Sequence, residues 1–177
     1  MKAAAETEAM MEKKVDVSTI PSVKPLTNDG KYATLILRQY KPTKANTKHF
    51  ITFDWIKAAK EPWVEITAAV ENGKVLGLIA IRFSNEDKAN GALFIRLLER
   101  AGTDMYGKGG EHKGIGKRLI ACAASEADSL GVDAVYLEPV TTAITYYRSL
   151  GFKPAGNRYM VLEGVAFEDI KEKQNGS

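Results

Sequence analysis

The feature that most constrains this chain is a glycine-rich stretch that runs directly into a helix. Residues 107–116 read Gly-Lys-Gly-Gly-Glu-His-Lys-Gly-Ile-Gly, and an apolar run with helical spacing starts at Ile115. Glycines allow tight turns, and the first N–H groups of a helix have no acceptor within it. At the positive end of the helix dipole, such N–H groups bind phosphate or diphosphate. We therefore expect a phosphorylated ligand here, the alternative being a solvated turn that binds nothing.

Upstream of this loop, the sequence predicts an antiparallel hairpin. Two apolar runs, 63–70 and 75–83, flank Asn72-Gly73, the dipeptide that favours a two-residue type I′ turn. A strand rich in β-forming residues is expected before the hairpin at 33–40, and another at 92–99 leads into the loop. The chain is thus expected to form a meander of neighbouring strands before it reaches the loop.

Helices are predicted on both sides of this meander. Phe50, Phe53 and Ile56 recur at a spacing of three, which indicates an amphipathic helix over 46–60. The other expected elements are a polar loop at 84–90, a helix from 114 that ends at Gly131, a strand at 132–137, a short helix from 141 or 142 to 150 and a strand at 159–165. This order predicts the α/β class, with a mixed sheet flanked by helices.

Length and composition favour a single domain. The chain has 177 residues, of which 45% are hydrophobic, and this is enough for one globular core. Residues 1–29 are polar and interrupted by prolines, so we expect a mobile N-terminal arm there. Residues 30–170 are expected to form the domain, and residues 171–177 a polar tail.

Composition disfavours several functional classes. The single cysteine, Cys122, excludes an intrachain disulfide and is expected in the core, and with only two histidines no metal site is expected. The net charge of +3 is too small to indicate nucleic acid as a partner, and no apolar run is long enough to cross a membrane. We therefore expect a cytoplasmic protein without metal, nucleic-acid or membrane partners.

Two familiar phosphate-binding patterns do not fit the loop. The stretch from Gly102 to Lys108 matches the first part of a P-loop, but Gly109 stands where the magnesium-binding Ser or Thr belongs. A dinucleotide fingerprint would need a glycine at His112 and a preceding βαβ unit, and the sequence predicts neither. These mismatches disfavour a nucleoside triphosphate or a dinucleotide as the ligand.

Two motifs resemble those of the GNAT superfamily of N-acetyltransferases. Residues 111–117, Glu-His-Lys-Gly-Ile-Gly-Lys, resemble the family's acetyl-CoA diphosphate loop at the start of a helix, although Glu111 stands where Arg or Gln is usual. Residues 143–152, Ala-Ile-Thr-Tyr-Tyr-Arg-Ser-Leu-Gly-Phe, resemble the family motif A-x-x-x-Y-x-x-x-G-F. The resemblance implies a mostly antiparallel mixed sheet, acetyl-CoA as co-substrate, and direct transfer of an acetyl group to a primary amine.

The resemblance also implies roles for individual residues. Tyr147 stands at the position of the family's general acid, whereas Tyr146 is expected in the core. Glu99 stands where several members carry a carboxylate base. Alternatively, Glu99 forms a salt bridge with Arg96 or Arg100, and His112 or a chain of waters is the base. The implied cofactor-binding residues are Leu98, Arg100, Glu111, His112, Lys113, Gly114, Ile115, Gly116, Lys117 and Tyr147.

The sequence does not specify the acceptor, which is a small-molecule or protein amine. Phe50, Phe53 and Trp55 either line an acceptor pocket, with Asp54 attracting the amine, or pack a helix on the sheet, the interpretation we favour. Many members of the family dimerise, so a homodimer is compatible with the resemblance. The alternative function is a non-catalytic acyl-CoA-binding or regulatory protein with the same fold.

Overall fold

The computed structural model describes residues 36–102 and 114–175, so the arm expected at 1–29 lies outside the described part. The strands are β1 (Ile36–Gln39), β2 (Val64–Glu71), β3 (Lys74–Arg82), β4 (Leu93–Arg100), β5 (Ala134–Leu137), β6 (Lys153–Ala155) and β7 (Tyr159–Glu163). The helices are α1 (Trp55–Ala58), α2 (Asn85–Ala89), α3 (Ile115–Ser129), α4 (Ile144–Ser149) and α5 (Gly164–Asn175), and a 3-10 turn spans Thr141–Ala143.

The strands form one seven-stranded sheet in the order β1-β2-β3-β4-β5-β7-β6. Of the strand pairs in the described residues, only β4 with β5 is parallel, and the others are antiparallel. This confirms the expected mixed, mostly antiparallel sheet flanked by helices.

The hairpin of β2 and β3 turns at Asn72-Gly73, as predicted. The φ angles are +48° for Asn72 and +75° for Gly73, and a type I′ turn requires positive φ at both central residues. The register that follows places Gly77 of β3 opposite Ala69 on one side and Arg100 of β4 on the other. The turn therefore brings a glycine of β3 beside the C-terminal end of β4.

Each face of the sheet carries its own core. Helix α3 covers one face with side chains such as Ile115 and Leu119, and α5 packs beside it through Phe167 and Ile170. On the other face, Trp55 of α1 lies at the centre of a smaller apolar cluster. Full burial of a large apolar side chain contributes about 1.5–3 kcal/mol, so the two clusters fix both layers of helices on the sheet.

The pairing between the two parallel strands ends early, in the middle of the sheet, and leaves a gap beside the carboxyl end of β4. Strand β4 pairs with β5 only through residues 93–95, whereas Leu98, Glu99 and Arg100 continue beside β3. Strand β5 ends at Leu137, and the chain then turns away. Among the described residues, the C-terminal part of β4 therefore has no paired strand on its β5 side, and in α/β sheets the carboxyl ends of parallel strands are where ligands bind.

The helix predicted over 46–60 is wrong for most of its length, since only Trp55–Ala58 is helical. Asn46 instead closes a turn, in which its side-chain oxygen accepts a hydrogen bond from the Thr43 N–H at 2.6 Å. Asp54 then caps the short helix through its carboxylate. Bonds between side chains and the nearby backbone have thus overridden the helical periodicity.

Other elements also differ from the prediction. The polar loop expected at 84–90 contains α2, which begins with a capping box formed by Ser84 and Asp87. Strand β6 was not predicted. The strand expected at 159–165 ends before Gly164, where α5 begins, and α5 continues into the stretch expected to be a polar tail.

Candidate active site

The described part of the glycine-rich loop is the start of α3. Gly114 is the cap residue, at φ +84°, and no described side chain caps this end of the helix. The Arg118 N–H donates to the Gly114 carbonyl at 3.0 Å, which closes the first turn. The N–H groups before Arg118 have no acceptor within the helix, as in phosphate-binding helix starts. Of the expected residues, Gly114, Ile115, Gly116 and Lys117 lie here, whereas Glu111, His112 and Lys113 lie outside the described residues.

Gly77, which no sequence motif singled out, lets α3 approach the sheet. A β-carbon added at Gly77 would lie 2.6 Å from Ile115 Cγ2 and 2.9 Å from Leu119 Cδ1. A larger residue would therefore push the first turns of α3 away from β3 and β4. A glycine inside an otherwise apolar strand is the signal that could have pointed to this close approach.

Tyr146 lies against the start of α3 rather than in the core, contrary to expectation. It is 40% exposed, and a β-carbon added at Gly116 would lie 2.6 Å from its hydroxyl oxygen. Partial burial raises the pKa of Tyr146, and the positive charge of Arg100 partly counters this effect. Tyr146 thus lies over the first turn of α3.

Tyr147 is buried next to Tyr146. It is 9% exposed, and its ring centroid lies 5.4 Å from that of Tyr146 and 5.5 Å from that of Phe152, both in edge-on contacts. Burial, with a smaller contribution from Tyr146, raises the pKa of Tyr147 to about 12. The phenol is therefore protonated at neutral pH, as a general acid must be. Its role as the acid stays a prediction.

Glu99 is a buried carboxylate that accepts two hydrogen bonds. The residue is 8% exposed, and its Oε1 accepts from the Thr52 backbone N–H at 2.8 Å and its Oε2 from the Trp55 indole N–H at 2.7 Å. Arg96, a candidate partner from the sequence, instead pairs with Glu61 at 3.0 Å. An ionised carboxylate has about four lone-pair sites, so each Glu99 oxygen can accept one more hydrogen bond.

Leu98 and Arg100 flank Glu99 on the other face of β4. Leu98 packs against the core beneath α3, and Arg100 is exposed. Both lie beyond the last pairing of β4 with β5, so their backbone borders the gap between the strands. The start of α3 therefore lies between the end of the sheet at Gly77 and Arg100 and the tyrosines of α4.

Burial decides between two interpretations drawn from the sequence. Phe50 and Trp55 are 5% and 1% exposed within the smaller core, in agreement with a packing role, and Asp54 caps α1. Cys122 is buried on α3, where burial and, less strongly, Glu126 raise the pKa of its thiol to about 12. A thiol that is buried and protonated is a core residue rather than a nucleophile.

The described residues contain neither a metal-binding cluster nor a membrane-spanning helix. No group of His, Cys, Asp and Glu side chains in residues 36–102 and 114–175 is arranged to hold a metal ion. In the same part of the chain, no helix combines the length and apolar character that a membrane span requires.

Comparison with known families agrees with this geometry. The sequence model described as the Acetyltransferase (GNAT) family matches residues 32–152, which is more than half of the chain. No curated protein matches the chain significantly.

Several solved structures share the fold at low sequence identity. A Bacillus subtilis acetyltransferase in complex with CoA is 15% identical, with a TM-score of 0.53, over 75% of this chain and 100% of that one. The ribosomal-protein-S18-alanine N-acetyltransferase of Escherichia coli is 16% identical, with a TM-score of 0.52, over 72% and 91%. A mutant AtaT toxin bound to the C-terminus of its antitoxin AtaR is 15% identical, with a TM-score of 0.52, over 81% and 98%. At such identities the likeness shows the fold alone.

Proposed function

The chain belongs to the GNAT family of acetyltransferases, and we propose that it transfers the acetyl group of acetyl-CoA to a primary amine by direct attack. The observation that carries the proposal is the position of the α3 start, which lies against β3 and the end of β4, beside the gap between β4 and β5. The CoA complex of the Bacillus subtilis acetyltransferase, which has the same fold, supports acetyl-CoA as the co-substrate.

The proposed cofactor site has two parts. The diphosphate of acetyl-CoA would bind the N–H groups at the start of α3, with residues 111–117 around it, because this end of the helix is electropositive. The thioester would reach the gap at the end of β4, where the backbone N–H groups of residues 98–100 are the candidates to stabilise the carbonyl oxygen. Lys117 is exposed in the first turn, and its positive charge would favour the diphosphate.

In the proposed reaction, the neutral amine nitrogen attacks the thioester carbon and a tetrahedral oxyanion forms. The C–S bond then breaks, and Tyr147 donates its proton to the leaving thiolate. Glu99 is our candidate to accept the proton that the amine loses, directly or through a water, since each of its oxygens has a remaining lone pair. His112 and a chain of waters without Glu99 are the alternative bases.

The first test is calorimetric titration with acetyl-CoA, followed by turnover on a panel of amines. The panel contains a polyamine, an amino acid, an amine-bearing antibiotic, a lysine peptide and an aminoacyl-tRNA. We expect binding of acetyl-CoA and release of free CoA thiol with at least one amine. If acetyl-CoA does not bind, the proposal is wrong; if it binds but no amine is acetylated, a non-catalytic acyl-CoA-binding protein is the better conclusion.

A second prediction concerns the contact between Tyr146 and Gly116. We expect Gly116→Ala to weaken acetyl-CoA binding about tenfold, equivalent to about 1.4 kcal/mol, because the added β-carbon would meet the Tyr146 hydroxyl and displace the Tyr146 ring from the first turn of α3. Tyr146→Phe should restore binding in the double variant, since the nearest remaining ring atom, Cζ, is 3.4 Å from the β-carbon position.

Thermal unfolding provides the control for this pair. Alanine stabilises a helix by about 1 kcal/mol relative to glycine. We therefore expect Gly116→Ala to weaken acetyl-CoA binding without lowering the unfolding temperature. A double variant that binds acetyl-CoA as weakly as Gly116→Ala alone would show that steric contact with Tyr146 is not the cause.

A further inference from the structure

The Glu99 carboxylate joins two parts of the chain that are distant in sequence. Its donors, the Thr52 N–H and the Trp55 indole, belong to the segment before α1 and to the first residue of α1. The indole bond spans 44 residues of sequence and is buried. The end of β4 is therefore tied to this segment by charge-assisted hydrogen bonds, which are shorter and stronger than neutral ones.

The Trp55 side chain is held in one orientation. It is 1% exposed, and its ring makes edge-on contacts with Phe50 at 6.3 Å and Phe53 at 6.4 Å between centroids. An indole enclosed in this way cannot turn its N–H elsewhere without disrupting the smaller core. Its hydrogen bond therefore fixes the position of the Glu99 Oε2 atom.

The segment before α1 is also attached to the residues that follow β4. The Gly102 N–H donates to the His49 carbonyl at 3.1 Å, and the Thr52 N–H donates to Glu99. Between these two attachments, Ile51 is 89% exposed. The backbone of residues 49–52 is therefore attached at two points beside the end of β4.

We propose that Trp55 is a positioning residue for the amine half of the reaction. With the Thr52 N–H, its indole holds the Glu99 carboxylate so that the remaining lone pair on each oxygen points in one fixed direction, toward the amine or a bridging water. This role rests on the proposed function. It assigns no chemistry to Trp55 itself, because the indole acts only through Glu99.

The kinetic test compares Trp55→Phe, Glu99→Gln, the double variant and the control Trp63→Phe. Trp55→Phe should lower kcat/KM for the amine about 10- to 100-fold, the size of effect that misplacement of a catalytic group produces. Its acetyl-CoA dissociation constant should stay within about twofold of wild type. The double variant should be no worse than Glu99→Gln alone, because Trp55 acts only through the Glu99 carboxylate, which Glu99→Gln already removes.

Trp63→Phe controls for the loss of a tryptophan, because Trp63 is 37% exposed and immediately precedes β2, at the end of that strand that pairs with Arg82 rather than the end beside Gly77. Its activity should stay within about twofold of wild type. Three results would overturn the positioning role: equal losses of amine turnover and acetyl-CoA affinity in Trp55→Phe, fully additive effects in the double variant, or a loss in Trp63→Phe that matches that of Trp55→Phe.

A readout independent of activity comes from the indole N–H signals in a nitrogen–proton correlation spectrum. The chain contains two tryptophans, so Trp63 is the internal reference for Trp55. Glu99→Gln should move the Trp55 indole signal and leave the Trp63 signal in place. If the wild type acetylates an amine but Glu99→Gln leaves the Trp55 indole signal in place, the positioning role alone is overturned. A wild type that acetylates no amine overturns the proposed function, and the positioning role with it.

Discussion

Replacing Tyr147 by phenylalanine should lower kcat about 10²- to 10⁴-fold and leave the acetyl-CoA dissociation constant within about threefold of wild type. The substitution removes only the hydroxyl, and the ring contacts of Tyr147 with Tyr146 and Phe152 can remain. The leaving thiolate would then depart without a proton donor. Steady-state kinetics with saturating acetyl-CoA, together with calorimetry, separate this loss of rate from a loss of binding.

The pH dependence of the wild-type rate gives a second measure of the same role. Burial raises the pKa of Tyr147 to about 12, so the phenol stays protonated through the neutral and moderately alkaline range and titrates only around that pH. The rate should rise with pH as the acceptor amine loses its proton, with no falling limb from Tyr147 below about pH 11. Tyr159→Phe is a matched control, because Tyr159 lies on β7 in another aromatic cluster. If Tyr147→Phe and Tyr159→Phe have equal rates, Tyr147 is not the acid.

The second large effect is expected at Asp87, a carboxylate that is fully buried between α2 and the sheet. It accepts two hydrogen bonds from Arg82, at 2.8 and 2.9 Å, two from Ser84, at 2.8 and 2.7 Å, and one from the Tyr136 hydroxyl. Asp87→Asn removes the charge and turns one oxygen acceptor into a donor. We expect the free energy of unfolding to fall by about 3 kcal/mol, the lower end for a broken buried ion pair, because Arg82 remains partly exposed.

Urea denaturation measures this change, and Glu138→Gln is the control. Glu138 pairs with Arg158 at 2.9 Å, but both side chains are exposed, so its loss should lower the free energy of unfolding far less than Asp87→Asn does. Burial alone would raise the pKa of Asp87, but hydrogen bonds from Arg82, Tyr136 and Ser84 outweigh it and lower the pKa to about 2. The stabilisation is therefore present above the ordinary pKa and is lost as the pH falls toward 2. Equal effects of the two substitutions would contradict this account.

The sequence predicted those elements that depend on residues close together in the chain. The turn at Asn72-Gly73, the long helix after the loop and its end before Gly131 were all confirmed, the last with Gly131 at φ +76°. A two-residue turn or a helix end is decided within a few residues, so its pattern is readable without knowledge of the fold. The order of strands and helices followed from the same local signals and was sufficient to predict the mixed sheet.

Elements that depend on distant partners were missed. Helix α5 was not predicted, and it continues into the expected polar tail; it packs on α3 and against Gly151, where an added β-carbon would lie 2.6 Å from the β-carbon of Ala166. Such packing is not visible in local composition. The helix predicted over 46–60 is wrong because its apolar spacing comes from packing and not from helix formation. Its apolar residues pack in the smaller core, but only Trp55–Ala58 is helical.

The same division holds for the site. By itself, the sequence determined the glycine-rich start of α3, because glycine spacing and helical periodicity are local, and the family resemblance singled out Tyr147 and Glu99. Only the tertiary structure shows that α3 packs closely against Gly77 and that Tyr146 lies over Gly116. It also shows that the Trp55 indole donates a hydrogen bond to Glu99. A contact between residues 44 positions apart leaves no periodic pattern in one sequence, so it becomes visible only when the sheet brings its partners together.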